Sequence, residues 1–141
     1  MPGLTTVEAE KILADMFAPW VLDLGLSVEA VGDDSAVLRM AFSERLCRVG
    51  GMVCGQAMVS AADTAMVIAI SAAKGGFLPI GTLDMTVNYM RPASNSDLLV
   101  EAKVMRIGRT VGFCTAMVKT AADGRDCAHV VGTYAMPAEK S

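Results

Sequence analysis

Residues 55–73 read GQAMVSAADTAMVIAISAA, and the only charge among them is Asp63; the nearest charges outside are Arg48 upstream and Lys74 downstream. The run is too long for one strand and is rich in Ala and Met, which lose little on entering a helix. It therefore predicts a helix over about 55–73. The segment is apolar nearly all round, so the helix must be buried on most sides. Lys74-Gly75-Gly76 supplies the stop, a cation followed by glycines at the helix C-terminus. Whatever else the chain does, it must wrap this helix.

The rest of the sequence supplies the wrapping. Thr5 or Thr6 starts a short N-terminal helix, residues 5–18, which Pro19 stops. Leu24–Val31 and Ala36–Phe42 read as strands around the turn at Gly32-Asp33-Asp34. Beyond the long helix, Thr82–Met90 alternates, with Leu83, Met85, Val87 and Tyr89 opposite Thr82, Asp84, Thr86 and Asn88. Leu98–Ile107, Val111–Thr120 and Cys127–Tyr134 follow, joined by a tight turn at Gly108-Arg109 and a hairpin signal at Asp123-Gly124. No repeat, low-complexity tract or linker appears, so the 141 residues are read as one domain, 1–141. The expected class is α+β, a six-stranded antiparallel sheet around one central helix.

Apolar residues make up 53% of the chain, an excess that points to surface buried against further copies. A net charge of −3 without a basic stripe argues against nucleic acid. The longest uncharged run, 49–62, is short for a membrane span, and no leader pattern opens the chain. Cys47, Cys54, Cys114 and Cys127 match no zinc spacing and read as reduced thiols of a cytoplasmic protein.

An acid inside an apolar helix is costly to bury alone. Two readings stay open for Asp63: its face reaches solvent or pairs with Arg48, or it is a general base or nucleophile in a cleft. Gly55, at the helix start, lets a ligand approach backbone N–H groups where the dipole favours negative charge, as an oxyanion requires. Eight residues separate the two, about 12 Å of helical rise, too far for one carbonyl to meet both within a straight helix.

The segments Gly51–Asp63, TLDMTVNYMRPA at 82–93 and RIGRTVGF at 106–113 resemble the hotdog-fold acyl-CoA thioesterases of the phenylacetate-degradation (PaaI-like) type, over roughly residues 35–135. The family pattern Asn-x-x-Gly-x-x-His-Gly-Gly, with an acid eight residues beyond the first glycine of the last pair, falls here on Arg48, Gly51, Cys54, Gly55, Gln56 and Asp63. Gly51, Gly55 and Asp63 match; Arg48, Cys54 and Gln56 replace the Asn, the His and the last Gly.

The resemblance implies a hotdog fold and thioester hydrolysis, with the site between two subunits. Gly55 N–H would polarise the carbonyl, and Asp63 would activate water or attack directly. The catalytic set is then Asp63, Gly55, Arg48 and Thr82, with Gly51, Cys54, Gln56 and Arg109 toward substrate. An irregular helix start together with the partner chain would close the 12 Å gap. Thr82 would hold the water from across the interface, or be a solvated strand residue. Arg48 would donate near the carbonyl and keep Asp63 ionised. Cys54 reads as packing or as a thiolate.

The partners expected are acyl-CoA and further copies of the chain, a dimer or a dimer of dimers (homotetramer). No metal or redox cofactor, no nucleic acid and no membrane is expected. A non-catalytic hotdog protein binding an acyl thioester or another apolar ligand is the alternative. Met58 and Met66 line an acyl tunnel or fill core. Arg91, Arg106 and Arg109 are candidates for phosphates or plain surface charges, while His129 reads as structural and Asp84 as the polar face of its strand.

Overall fold

The computed structural model of the chain describes residues 3–138. Helix α1 spans Thr6–Met16 and opens on a capping box, in which Thr5 Oγ1 accepts the Glu8 N–H and Glu8 accepts the Thr5 N–H. Pro19 does more than stop it. Its fixed φ starts a four-residue helix, α2 (Pro19–Leu22). Strands β1 (Leu26–Val31) and β2 (Ser35–Met40) precede the long helix α3, Gly55–Lys74. Then come β3 (Gly81–Tyr89), β4 (Leu98–Ile107), β5 (Val111–Thr120) and β6 (Asp126–Ala135). All pairings are antiparallel, in the order β1-β2-β4-β5-β6-β3. This is the hotdog arrangement, a six-stranded sheet wrapped around one helix.

Twelve residues of α3 are buried, among them Ala57, Ala61, Ala65 and Ala69, whose small side chains let the helix lie close to the sheet. Met66 and Ile68 fill the space between, both fully buried; truncating either to Ala costs about 2–5 kcal/mol. The helix is long and apolar enough to cross a membrane, yet the sheet sheaths it and it is the core helix of the fold. Thr64 and Ser71, buried on it, donate back to the carbonyls of Ser60 and Val67, so neither hydroxyl is orphaned. Gly75, at φ 76°, turns the chain out of the helix, and the Gly75 and Gly76 N–H groups bond to Ala72 O and Ser71 O.

The two edges of the sheet are treated differently. At the β1 edge, Glu10 of α1 accepts the Val28 N–H at 2.6 Å, and a bulge interrupts pairing between Val28 and Ala30. At the β3 edge, no described residue pairs with the outer side of the nine-residue strand, which carries exposed Leu83.

A second bulge decides where β3 points its side chains. Thr82 pairs with Tyr134 and Asp84 with Thr133, so Leu83 is the extra residue. The simple alternation expected from the sequence puts Thr82 on the same face as Asp84, Thr86 and Asn88. The bulge at Leu83 reverses this and turns Thr82 inward, toward α3.

Candidate active site

The segment before α3 is shaped to deliver Gly55 to the surface. Arg48 N–H and Met52 O close a turn at 2.8 Å, with Gly50 and Gly51 at φ 108° and 85°, conformations that side chains disfavour. Val53 N–H bonds to Ala93 O and Cys54 N–H to Leu46 O, which braces the turn from both sides. Upstream, Asp97 holds Phe42 N–H at 2.7 Å and Arg39 at 3.0 Å. Those two bonds, the backbone one first, keep the Asp97 carboxyl below its ordinary range.

Helix α3 begins at Gly55, and Cys54 at the N-cap offers no side-chain hydrogen bond. The first N–H groups of the helix are thus without a capping side chain. Tyr89 lies against Gly55, and its hydroxyl donates to Gly55 O at 2.9 Å. A Cβ at position 55 would meet the Tyr89 ring at 2.9 Å, so glycine is needed for this packing as well as for access to the N–H. An open cavity of about 430 Å³ lies here, lined by Met52, Met58, Tyr89, Met90 and Pro92 around Gly55, with Arg48 and Arg91 as its charges.

Asp63 lies two turns further along α3 and is half-buried. Tyr134, fully buried on β6, donates its hydroxyl to Asp63 Oδ1 at 2.7 Å. Thr82 donates to the same oxygen at 3.2 Å. Among the described residues no donor reaches Oδ2. Burial first, then the Asp63 charge, pushes the Tyr134 phenol far above its usual range, so it stays protonated and remains a donor.

The residues expected from the sequence fall into three groups. Gly55 and Arg48 share the cavity; Asp63 and Thr82 share a hydrogen bond; Arg109 lies elsewhere, with Lys74 and Leu78 in a second cavity beyond the C-terminal end of α3. Two expectations are corrected, the pairing of Arg48 with Asp63 and the irregular helix start. Arg48 forms no ion pair with Asp63, whose partners are hydroxyls. Thr82 bonds the Asp63 of its own chain, because the bulge turns it inward. The helix is regular from Gly55 onward, so no irregular first turn shortens the path to Asp63. Gly51 bonds its N–H to Arg48 O at 3.0 Å, which fixes the turn before Gly55.

Cys54 and Gln56 sit at the helix start without lining the cavity, and of the three arginines named for phosphates Arg91 lines it. Met58 lines the cavity while Met66 fills core, so the two methionines divide the roles left open for them. His129 bonds the Thr115 hydroxyl at 2.7 Å, a structural contact between neighbouring strands.

Tyr89 and Tyr134 were missed. Each had a signal. A tyrosine on the inward face of the last strand needs a partner for its hydroxyl, and the core helix offers one acid. Tyr89 lies two residues before Arg91 in the segment NYMRPA that carries the resemblance.

The chain matches the Thioesterase superfamily over residues 50–127, more than half its length, and it belongs to that family. A candidate esterase of Halobacterium salinarum is 38% identical over 108 residues, covering 73% of this chain and 71% of that one. The crystal structure of zebra fish thioesterase superfamily member 2 superposes with a TM-score of 0.84 at 26% identity, covering 95% of this chain and 99% of that one. The Escherichia coli PaaI protein, from the phenylacetic acid degradation operon, shares the fold at 17% identity (TM-score 0.81, covering 97% and 99%).

Proposed function

We propose that the protein is an acyl-CoA thioesterase that hydrolyses a thioester to a carboxylic acid and free coenzyme A. The observation that carries this reading is Asp63: a carboxylate on the core helix, held through Oδ1 and open at Oδ2. Oδ2 takes a proton from a water molecule as its oxygen attacks the thioester carbonyl carbon. The oxyanion that forms is stabilised by Gly55 N–H at a helix N-terminus. Collapse of the tetrahedral species breaks the C–S bond, and the thiolate leaves and collects a proton. A direct attack by Asp63 would instead give a mixed anhydride, which water then opens to the same products. Neither route calls for a metal or redox cofactor.

A regular helix puts Gly55 and Asp63 about 12 Å apart along its axis, so one chain does not bring them to the same carbonyl. We take the reactive site to be shared, with Gly55 from one copy and Asp63 from the next. Three features support that. No described residue pairs with the outer side of the nine-residue β3, which exposes Leu83, a template for pairing with its twin. Tyr89 and Met90, which line the Gly55 cavity, are also exposed beside this edge. Apolar residues are in excess for a chain of this size. Exposed Met105, Phe113 and Val131 offer a further surface on which dimers would pair into a tetramer. The four free thiols, two of them buried, suit a reducing cytoplasm.

Arg48, Cys54 and Gln56, standing where the family pattern has other residues, favour one alternative, a ligand-binding hotdog protein without turnover. Release of free thiol from aryl-, short- and long-chain acyl-CoAs decides between the two. Enzymatic hydrolysis of one class is expected, and tight binding of an acyl-CoA without release would replace the proposal with the alternative. Light scattering at micromolar concentration should give at least a dimer mass. A monomer mass would remove the shared site.

A further inference from the structure

We infer that Tyr134 is a positioning residue for Asp63: by holding Oδ1 from the buried side it leaves Oδ2 as the reacting oxygen. The inference rests on the thioesterase reading and adds to it the origin of the carboxylate's orientation. Asp63 Oδ1 has two donors of different character. Tyr134 is fully buried, and its ring is wedged beside Gly132, where a Cβ would meet Met66 Cε at 2.9 Å and Tyr134 Cε2 at 3.1 Å. Glycine at 132 therefore makes the room in which Met66 and Tyr134 pack, and the Tyr134 hydroxyl lies 2.7 Å from Asp63 Oδ1 and 3.5 Å from Asp63 O, so both of its acceptors belong to Asp63. Thr82 is exposed, at the bulged end of an edge strand, and 3.2 Å from the same oxygen.

The register joins the two donors. Thr82 and Tyr134 are directly paired across β3 and β6, so the bulge at Leu83 brings both hydroxyls to one oxygen. Two donors occupy both lone pairs of Oδ1, and both lone pairs of Oδ2 remain for water or for the carbonyl carbon. Tyr134 does not itself trade protons with substrate. It lies beneath Asp63, fully buried, and its phenol keeps its proton through the working range.

The test compares Tyr134→Phe, Thr82→Val and the double variant, assayed by thiol release on the best acyl-CoA. Loss of a hydrogen bond to a charged group predicts a kcat about ten- to a hundredfold lower for Tyr134→Phe, with KM within about twofold. Thr82→Val should lose about two- to tenfold, and the double variant more than the product of the two, because the first loss leaves one anchor and the second leaves none. A Tyr134→Phe enzyme with a lower melting temperature and an unchanged kcat would reduce Tyr134 to core packing and overturn the inference.

If Tyr134→Phe does not fold, proton NMR of the wild-type protein takes its place. The buried phenol proton should appear as a slowly exchanging downfield resonance and move upfield in Asp63→Asn; an unmoved resonance would overturn the inference. The two readings fail separately. Absence of thiol release by the wild-type protein from every acyl-CoA would sink the thioesterase assignment while the NMR shift still reports the hydrogen bond. Full turnover by Tyr134→Phe, with Asp63→Asn inactive, would sink only the positioning role.

Discussion

The two ends of the proposed site, both on α3, are built in opposite ways. At its N-terminus, Gly55 sits in an open cavity among methionines, an exposed tyrosine and two arginines, just after a loop held mainly by backbone bonds. Two turns along, Asp63 is fixed by the hydroxyl of a fully buried tyrosine within the sheet-wrapped core. The first end can adapt: methionine side chains rearrange cheaply, and an open wall admits groups of different shape. The second cannot move without disturbing the core. On the proposed reading, the soft end receives the substrate and offers the oxyanion donor, while the rigid end aims the attacking oxygen. The part that must accept a substrate is soft, and the part that must aim an oxygen is rigid.

The sharpest way to break that division is at the rigid end. Asp63→Asn is close to isosteric but accepts no proton and does not attack as an anion, so kcat should fall at least about 10²-fold while the fold persists. Thiol release with a thermal melt checks both. A folded variant with wild-type rate would leave the rigid end without a role in the chemistry.

At the soft end, Gly55→Ala should come next in size. The added Cβ lies 2.9 Å from the Tyr89 ring in the present geometry, so the ring must swing away and give up its bond to Gly55 O. A fall in kcat/KM of about tenfold or more is expected, in the range for a weakened oxyanion donor. Gly55→Ala/Tyr89→Ala separates the causes. If the double variant recovers its activity, Gly55 serves only the tyrosine's packing. If it stays slow, the glycine is there for the carbonyl.

Arg48 tests how much recognition owes to charge. Arg48→Ala should lose about three- to tenfold in kcat/KM, mainly through KM, because the guanidinium lines the cavity and touches no carboxylate. Cys54→Ala should retain most activity, since the Cys54 side chain neither bonds the helix start nor lines the cavity. The reverse order, with an acyl group trapped on Cys54 by mass spectrometry, would move the chemistry to the soft end and reverse the comparison.

How legible these two ends were in the sequence follows from how local each one is. Helix α3, its stop at Gly75 and the strands around it follow from runs of adjacent residues, whose periodicity is written in the chain. Gly55 and Asp63 stood out for the same reason, one as a glycine at a helix start and the other as an acid among apolar neighbours. The surroundings of Asp63 did not. Tyr134 comes from a strand 71 residues away. Thr82 reaches Asp63 only because one extra residue in β3 reverses its face, and period-2 alternation misplaces any residue beyond a bulge. The Pro19 helix was misread from the other side, since proline both ends one helix and starts the next.

The smallest expected effect lies in the support of the soft end. Asp97 ties Phe42 and Arg39 together upstream of the loop that leads into Gly55. Its carboxyl is held below the ordinary value by the Phe42 N–H and then by Arg39. A lowered folded-state value means that the unfolded chain binds the proton more readily. The contribution to stability is therefore complete above the ordinary value, about 3.9, and is lost as pH falls through the lowered one. The side chain is 36% exposed, so solvent screening keeps the effect small. Asp97→Asn should lower the melting temperature by roughly a few degrees at pH 7, and the gap should close toward pH 3. Because the loop supports the cavity and the start of α3 and not the reacting oxygen, kcat/KM should fall slightly, with a rise in KM as the larger part. A fall in kcat at constant KM would mean that Asp97 supports the Asp63 end, and that the soft and rigid halves of the site share one scaffold.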